Sequence, residues 1–278
     1  MKTFGSLFAG IGGIDLGLER AGWTCCWQVE QDPYCRAVLA KHWPGVQRRR
    51  DVRKAGAKHL PPVDLIAGGF PCQDISTAGR GIGIEGARSG LWTEFARIVS
   101  ELRPSYVLVE NVPRLRSGGR GAWMGKVVGD LAALGYDCLW DSVSASHLGA
   151  PHRRERLFIV AYATSNGRDS RRASNAAQEP RGRELNRSSS GTNATADSQR
   201  DGRKRQGLSS ESRENFLGFA WRSLSRSRTA MAEPPEWRPE PPVGRVADGV
   251  SARMDRLKGL GNACVPQVVT LIAQEYLP

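Results

Sequence analysis

Through the first 164 residues, short apolar runs alternate with segments whose apolar positions recur every three or four residues. That rhythm predicts strands alternating with helices. Strands are expected over residues 3–8, 24–29, 65–67, 106–110, 136–142 and 156–161, each rich in β-branched or aromatic side chains. Helices are expected over 14–21, 33–42, 91–102 and 124–134, the last stopped by Gly135. Strands and helices in this order make an α/β fold, and a parallel sheet covered by helices is its economical form.

The pattern lapses after Ala163. Between 165 and 230 there are 14 Lys and Arg against 7 Asp and Glu, set among Ser, Asn, Gly and Gln, with one apolar cluster at 216–221. Such text buries too little surface to order itself fully, so a small, partly irregular second domain is expected. Prolines at 234, 235, 239, 241 and 242 then form a stiff connector. Regular patterning returns over 250–260 and again over 265–276, which reads as a helix. The chain is therefore expected as 1–164, an α/β domain, 165–249, a small basic region, and 250–278, a segment returning to the first domain.

Composition narrows the functional classes. The 278 residues are 40% hydrophobic, enough for a core, and no apolar run approaches the roughly 20 residues that span a bilayer. With no apolar leader at the start, a cytoplasmic location and no membrane partner are expected. The six cysteines show neither C-x-x-C pairs nor histidines at zinc spacing, so no metal is expected. A net charge of +12 favours a polyanion such as nucleic acid, although a merely solubilising basic surface gives the same total.

Several motifs could carry chemistry. Gly68-Gly69-Phe70-Pro71-Cys72-Gln73 displays a thiol on a shaped turn after an apolar strand, the place for a nucleophile or for a buried packing cysteine. Ser6 through Asp15 follows the first strand with Gly10, Gly12 and Gly13 but has Asp15 at the third glycine position of a dinucleotide fingerprint, which weakens that reading. Glu30, twenty positions after Gly10, could hold both hydroxyls of a ribose or be a solvated carboxylate. Asp51 could meet an adenine amino group or cap a helix. Glu110 leaves its strand at the same sheet edge as Cys72, where burial would raise its pKa and make it a proton donor, or where it could be a capping or turn carboxylate. Arg154 and Arg156 alternate onto one face, where they could orient an acidic side chain and a base carbonyl, or be solvated.

Six of these pieces, in this order, resemble the cytosine-C5 DNA methyltransferase family of bacterial and phage type. They are Phe8-Ala9-Gly10-Ile11-Gly12-Gly13, Glu30, Gly69-Phe70-Pro71-Cys72-Gln73, Glu110-Asn111-Val112-Pro113, Pro151 through Arg156, and Gly261-Asn262-Ala263-Cys264-Val265-Pro266. The resemblance implies a Rossmann-like sheet binding S-adenosyl-L-methionine and acting on duplex DNA. By likeness, Phe8, Gly10, Ile11, Gly12, Glu30, Asp51, Pro71, Leu91 and Asn262 would contact the cofactor. Cys72 would attack C6 of a flipped cytosine while Glu110 protonates N3, and Arg154, with Arg156, would brace the base and the nucleophile. The glycine-dense run 76–86 is similar to the family's mobile loop. A restriction-modification or phage-protection role, a cognate restriction endonuclease and a monomer are the corresponding expectations.

The departures are His152 where the family has glutamine, Cys264 where it usually has valine, and a short, hydrophobic-poor stretch in place of a long recognition domain. Two other readings remain at this point: the same chemistry on tRNA, or a DNA-binding relic without catalysis.

Overall fold

A computed structural model describes residues 1–71, 90–164 and 253–277. Seven strands form one sheet in the order β3-β2-β1-β4-β5-β7-β6. They are β1 (Thr3–Leu7), β2 (Thr24–Val29), β3 (Gln47–Arg49), β4 (Leu65–Gly69), β5 (Tyr106–Asn111), β6 (Tyr136–Ser144) and β7 (Glu155–Ala163). The expectation of a parallel sheet needs one correction. β7 runs antiparallel to both β5 and β6, so the sheet is mixed, with a single reversed strand wedged near one edge. β3 lies outside the strands expected from the sequence, because at three polar residues it carries no periodic signal.

The central strands are buried on both faces, which is why they read as continuous apolar runs. Alternate residues feed two cores. Leu7, Ile66, Val107 and Val109 pack on one face with Phe95 and Ile98 of α3 (Leu91–Leu102) and Val127 and Leu131 of α5 (Ala122–Ala133). Phe4, Leu65, Ala67 and Leu108 pack on the other with Ile14 and Leu18 of α1 (Gly13–Arg20) and Leu39 of α2 (Pro33–His42). Val268, Val269 and Ile272 of the last helix join this second core, so the C-terminal segment returns to the sheet. We number the remaining helices α4 (Arg114–Ser117), α6 (Arg253–Asn262) and α7 (Pro266–Tyr276).

Strand order reverses between β1 and β4: from β1 the chain steps outward to β2 and β3, then returns to β4 and continues to β5. At such a switch point the loops leaving the carboxyl ends of the two strands diverge and open a crevice. The loop after β1 and the turn after β4 both begin there. Among the described residues no helix is long and apolar enough to cross a membrane.

Candidate active site

The Glu110 carboxylate is the centre of the site's electrostatics. It lies near the carboxyl end of β5, opposite Gly69 of β4 and Phe158 of β7. A Cβ at position 69 would come within 2.3 Å of Glu110 Oε2, so any side chain there would displace the carboxylate. On the β7 side, Arg156 is the diagonal neighbour of Glu110 across the antiparallel pair, on the same face, and its Nε donates to Glu110 Oε1 at 3.0 Å. Burial pushes the Glu110 carboxyl up to about 7, against the lowering pull of Arg156 and then Arg154. Desolvation outweighs the ion pair because Glu110 is 9% exposed and, among the described residues, only Arg156 bonds it directly.

Arg154 does something different from its expected partner. It precedes β7 with φ +29°, so strand alternation does not aim it. Its Nε donates to the carbonyl of Ala263 at 3.0 Å, and its Nη2 donates to Leu260 at 3.1 Å, to Gly261 at 2.9 Å and again to Ala263. Those are the carbonyls that a helix leaves unpaired at its end. Arg154 thus clamps the end of α6, which bears Asn262, to the sheet beside Glu110. Cys264 is buried in the same neighbourhood, its thiol pushed well up by burial and then by the Glu110 charge.

Cys72 and the run 76–86 lie outside the described residues, but the ground before Cys72 is fixed. Phe70 is 2% exposed, with its ring 5.3 Å from that of Trp92, which stacks in turn on Phe95 at 5.4 Å. The Phe70 carbonyl accepts from Asn111 Nδ2 at 3.2 Å, and Asn111 Oδ1 accepts from the amide of Val112 at 2.9 Å. Asn111 therefore ties the chain leaving β4 to the chain leaving β5. Sequence reading gave this residue no role; a carboxamide directly after the strand-end glutamate was the available signal.

On the other side of the switch point, the loop after β1 turns through Phe8 (φ 55°), Gly10 (φ 57°) and Gly12 (φ 87°). The amide of Gly10 donates to Glu30 Oε2 at 2.7 Å, and the amide of Asp32 donates to Glu30 Oε1 at 2.7 Å. Glu30 is half-buried, and each oxygen keeps a further lone pair for an incoming hydroxyl. Phe8 and Leu91, both half-buried, border the same core. Ile11 faces α6, where a Cβ on Gly259 would approach its Cγ2 to 3.0 Å, and a Cβ on Gly13 would approach the Cys264 carbonyl to 2.4 Å. Asn262, exposed at the end of α6, is brought to this loop by those contacts. Half-buried Pro71 follows Phe70 at the turn.

Asp51 caps the short 3-10 turn at Val52–Lys54, accepting from the amide of Arg53 at 3.0 Å, which is the capping alternative. Asp32, which sequence reading passed over, caps α2 through the amides of Tyr34 and Cys35 and accepts from Lys258 of α6 at 2.6 Å. An Asp directly before Pro33 at the first helical position was its signal.

The family description "C-5 cytosine-specific DNA methylase" matches residues 2–234 of the chain. The Type II methyltransferase M2.BsuMI of Bacillus subtilis is 40% identical over 168 residues, 59% of this chain and 43% of that protein. M.HhaI of Haemophilus parahaemolyticus is 33% identical over 159 residues, 57% of this chain and 48% of that protein. Among solved structures, a candidate DNA modification methyltransferase encoded within an E. coli prophage superposes with a TM-score of 0.52 at 32% identity, covering 60% of this chain and 48% of that one. The chain thus matches somewhat under half the length of these relatives. With the match extending over most of its sequence, the chain belongs to the C-5 cytosine-specific DNA methylase family.

Proposed function

We propose that this chain is a DNA (cytosine-5-)-methyltransferase that methylates C5 of a cytosine flipped out of duplex DNA, through a covalent bond between Cys72 and C6. The observation that carries this reading is the Glu110 carboxyl: buried, raised to about 7, and in register with Gly69, three residues before the thiol.

C6 of cytosine is a poor electrophile until N3 is protonated. A carboxyl with a pKa near neutrality can hold a proton at pH 7 and still release it, which a solvated glutamate cannot do. As the Cys72 thiolate adds to C6, the electron pair of the C5–C6 bond moves toward N3, which takes the proton of Glu110, and C5 becomes the nucleophile. Arg156 steadies the carboxylate left on Glu110. After C5 has received the methyl group, its proton leaves to water, the C5–H electron pair forms the C5–C6 double bond as the C6–S bond breaks to release the Cys72 thiolate, and N3 gives its proton back to Glu110. The target atom lies inside the duplex stack, so the base must be flipped, at a cost of a few kcal/mol.

S-adenosyl-L-methionine fits the opposite side of the crevice and supplies an electrophilic methyl on a sulfonium. Phe8, Gly10, Ile11, Gly12, Glu30, Pro71, Leu91 and Asn262 would hold it, with Glu30 accepting the ribose hydroxyls and Asp51, through the oxygen that does not cap Val52–Lys54, serving the adenine end. The reading carries with it duplex DNA as partner, residues 165–249 as the target-reading region, a monomer in the cytoplasm, and a restriction-modification or phage-protection setting with a cognate endonuclease.

The test is adduct formation on duplexes containing 5-fluorocytosine, together with transfer of a labelled methyl group to ordinary duplex. Wild type should form the adduct. Cys72→Ser should form none and lose transfer by at least about 10³-fold, in line with the removal of other covalent nucleophiles. Undiminished transfer by that variant would refute the mechanism.

A further inference from the structure

The chain leaving β5 beyond Glu110 and Asn111 has an unusual charge pattern. Between Val112 and Gly129 it carries Arg114, Arg116, Arg120 and Lys126 and no acidic residue. Lys126 is paired with Asp130 at 3.0 Å. The three arginines are exposed and make no side-chain hydrogen bond or ion pair among the described residues. Elsewhere, Arg36, Arg48, Arg97 and Arg154 spend their donors on backbone carbonyls.

The backbone that carries these free guanidiniums is held firmly. Leu115, between two of them, is fully buried, and the amides of Leu115 and Arg116 donate to the carbonyls of Val112 and Pro113, each at 3.0 Å. Gly118 lies against the Trp123 ring so closely that a Cβ there would come within 1.7 Å of it. Arg120 has φ 55° between Gly119 (φ 58°) and Gly121 (φ 89°), a run of left-handed residues. A long side chain in that conformation, with no hydrogen bond or ion pair among the described residues, points to a role outside the fold.

We infer that Arg114, Arg116 and Arg120 form a rigid platform for backbone phosphates of the DNA strand that carries the target cytosine. The inference rests on the proposed function and adds to it a surface that holds the duplex at the mouth of the site. Arg114 is four residues after Glu110, so at most about 14 Å of extended chain separates them. A nucleotide that presents its base to Glu110 therefore has this segment within reach of its phosphates. The planar guanidinium fork matches phosphate oxygens, and such contacts fix register without reading sequence.

The experiment uses the full chain and compares wild type with three triple variants. Arg114→Ala/Arg116→Ala/Arg120→Ala removes the platform. The same positions changed to Lys keep the charge. Arg20→Ala/Lys41→Ala/Lys58→Ala removes equal charge from exposed positions that each precede a parallel strand, at the opposite edge of the sheet. Duplex affinity is measured against salt concentration. Each lost phosphate contact should lower the slope of log affinity against log salt by about 0.9.

The platform triple should lose about 2 to 3 in slope, equally for duplexes of any sequence, with S-adenosyl-L-methionine binding and unfolding temperature unchanged. The Lys triple and the opposite-edge triple should stay near wild type. Should the platform triple be poorly folded, the single variant Arg116→Gln should still lose about 1. An unchanged slope in the platform variants, with wild type methylating duplex DNA, overturns this inference alone. Failure of wild type to methylate any duplex overturns the reading on which it rests.

Discussion

Glu30 and Glu110 stand at comparable places in the topology, one just past β2 and the other near the end of β5, on either side of the switch point between β1 and β4. The fold treats them in opposite ways. Glu30 is half-buried, and two backbone amides, from Gly10 and Asp32, meet its oxygens at 2.7 Å. The two amides leave lone pairs free on both oxygens, so this carboxylate is suited to accept hydroxyls. Glu110 is buried, meets the guanidinium of Arg156 rather than amides, and is raised to about 7. Residue type is the same and chain position is equivalent. What differs is desolvation, and under the proposed function it divides the roles, binding for Glu30 and proton donation for Glu110.

The sharpest way to break this contrast is to remove the proton from the second carboxyl while keeping its shape. Glu110→Gln should lower methyl transfer by about 10² to 10⁴-fold, the usual range for a lost general acid. The pH profile carries the sign. The folded pKa lies above the ordinary 4.5, so the donor form is present at low pH and is lost as pH rises through about 7. Wild-type turnover should therefore have a falling limb centred near 7, and Glu110→Gln should lack it. A limb that survives in the variant would belong to another group. By the same linkage, the stability held by neutral Glu110 is fully present below about pH 4.5 and fades as pH passes 7, and the variant should lose that dependence.

How much of this contrast could be read from the chain depends on range. Glycine turns, strand-end acids and apolar runs are local, and they placed both glutamates at one edge of an α/β sheet. The reversal of β7 is not local: Leu157 to Ala161 are buried whether their strand runs parallel or antiparallel, and the direction is set by the tight return from β6 through 145–154. Arg154 and Arg156 show the same limit. Period-two alternation put them on one face, but Arg154 precedes the strand with a left-handed backbone, so one guanidinium meets Glu110 and the other meets the end of α6, more than a hundred residues away. Asp15 read only as a missing glycine because its partners, Ser6 on β1 and Gln28 on β2, meet it only when the sheet forms.

On the other side of the comparison, Glu30→Ala should leave the proton chemistry alone and weaken cofactor binding. Hydrogen bonds to a charged group are worth about 1.5 to 3 kcal/mol, which corresponds to about a 10- to 100-fold rise in the KM for S-adenosyl-L-methionine. Loss of the carboxylate also frees the amide of Gly10, so part of the rise would come from the loop. The falling limb near pH 7 should persist in this variant. If it moved with Glu30, the two carboxyls would be coupled and the division of roles would fail.

The smallest effect should come from a third carboxyl, Asp15, which follows the glycine turn after β1. It is fully buried at the start of α1, accepting from Ser6 Oγ at 3.0 Å and from Gln28 Nε2 at 2.8 Å. Burial raises it to about 6, with both hydrogen bonds pulling the other way. In Asp15→Asn the amide oxygen can keep the Gln28 bond while its NH₂ donates to Ser6, whose hydroxyl turns to accept. The change in stability at pH 5 should therefore stay within about 1 kcal/mol. The raised value means that stability held by neutral Asp15 is fully present below about pH 4 and is lost as pH rises through 6, so the variant should be the more stable protein at pH 7 to 8. Thermal unfolding from pH 4 to 8 separates this group from Glu110, because the Asp15 loss is centred about one pH unit lower. A variant that unfolds earlier than wild type at every pH would instead make the negative charge of Asp15 itself part of what holds the glycine loop.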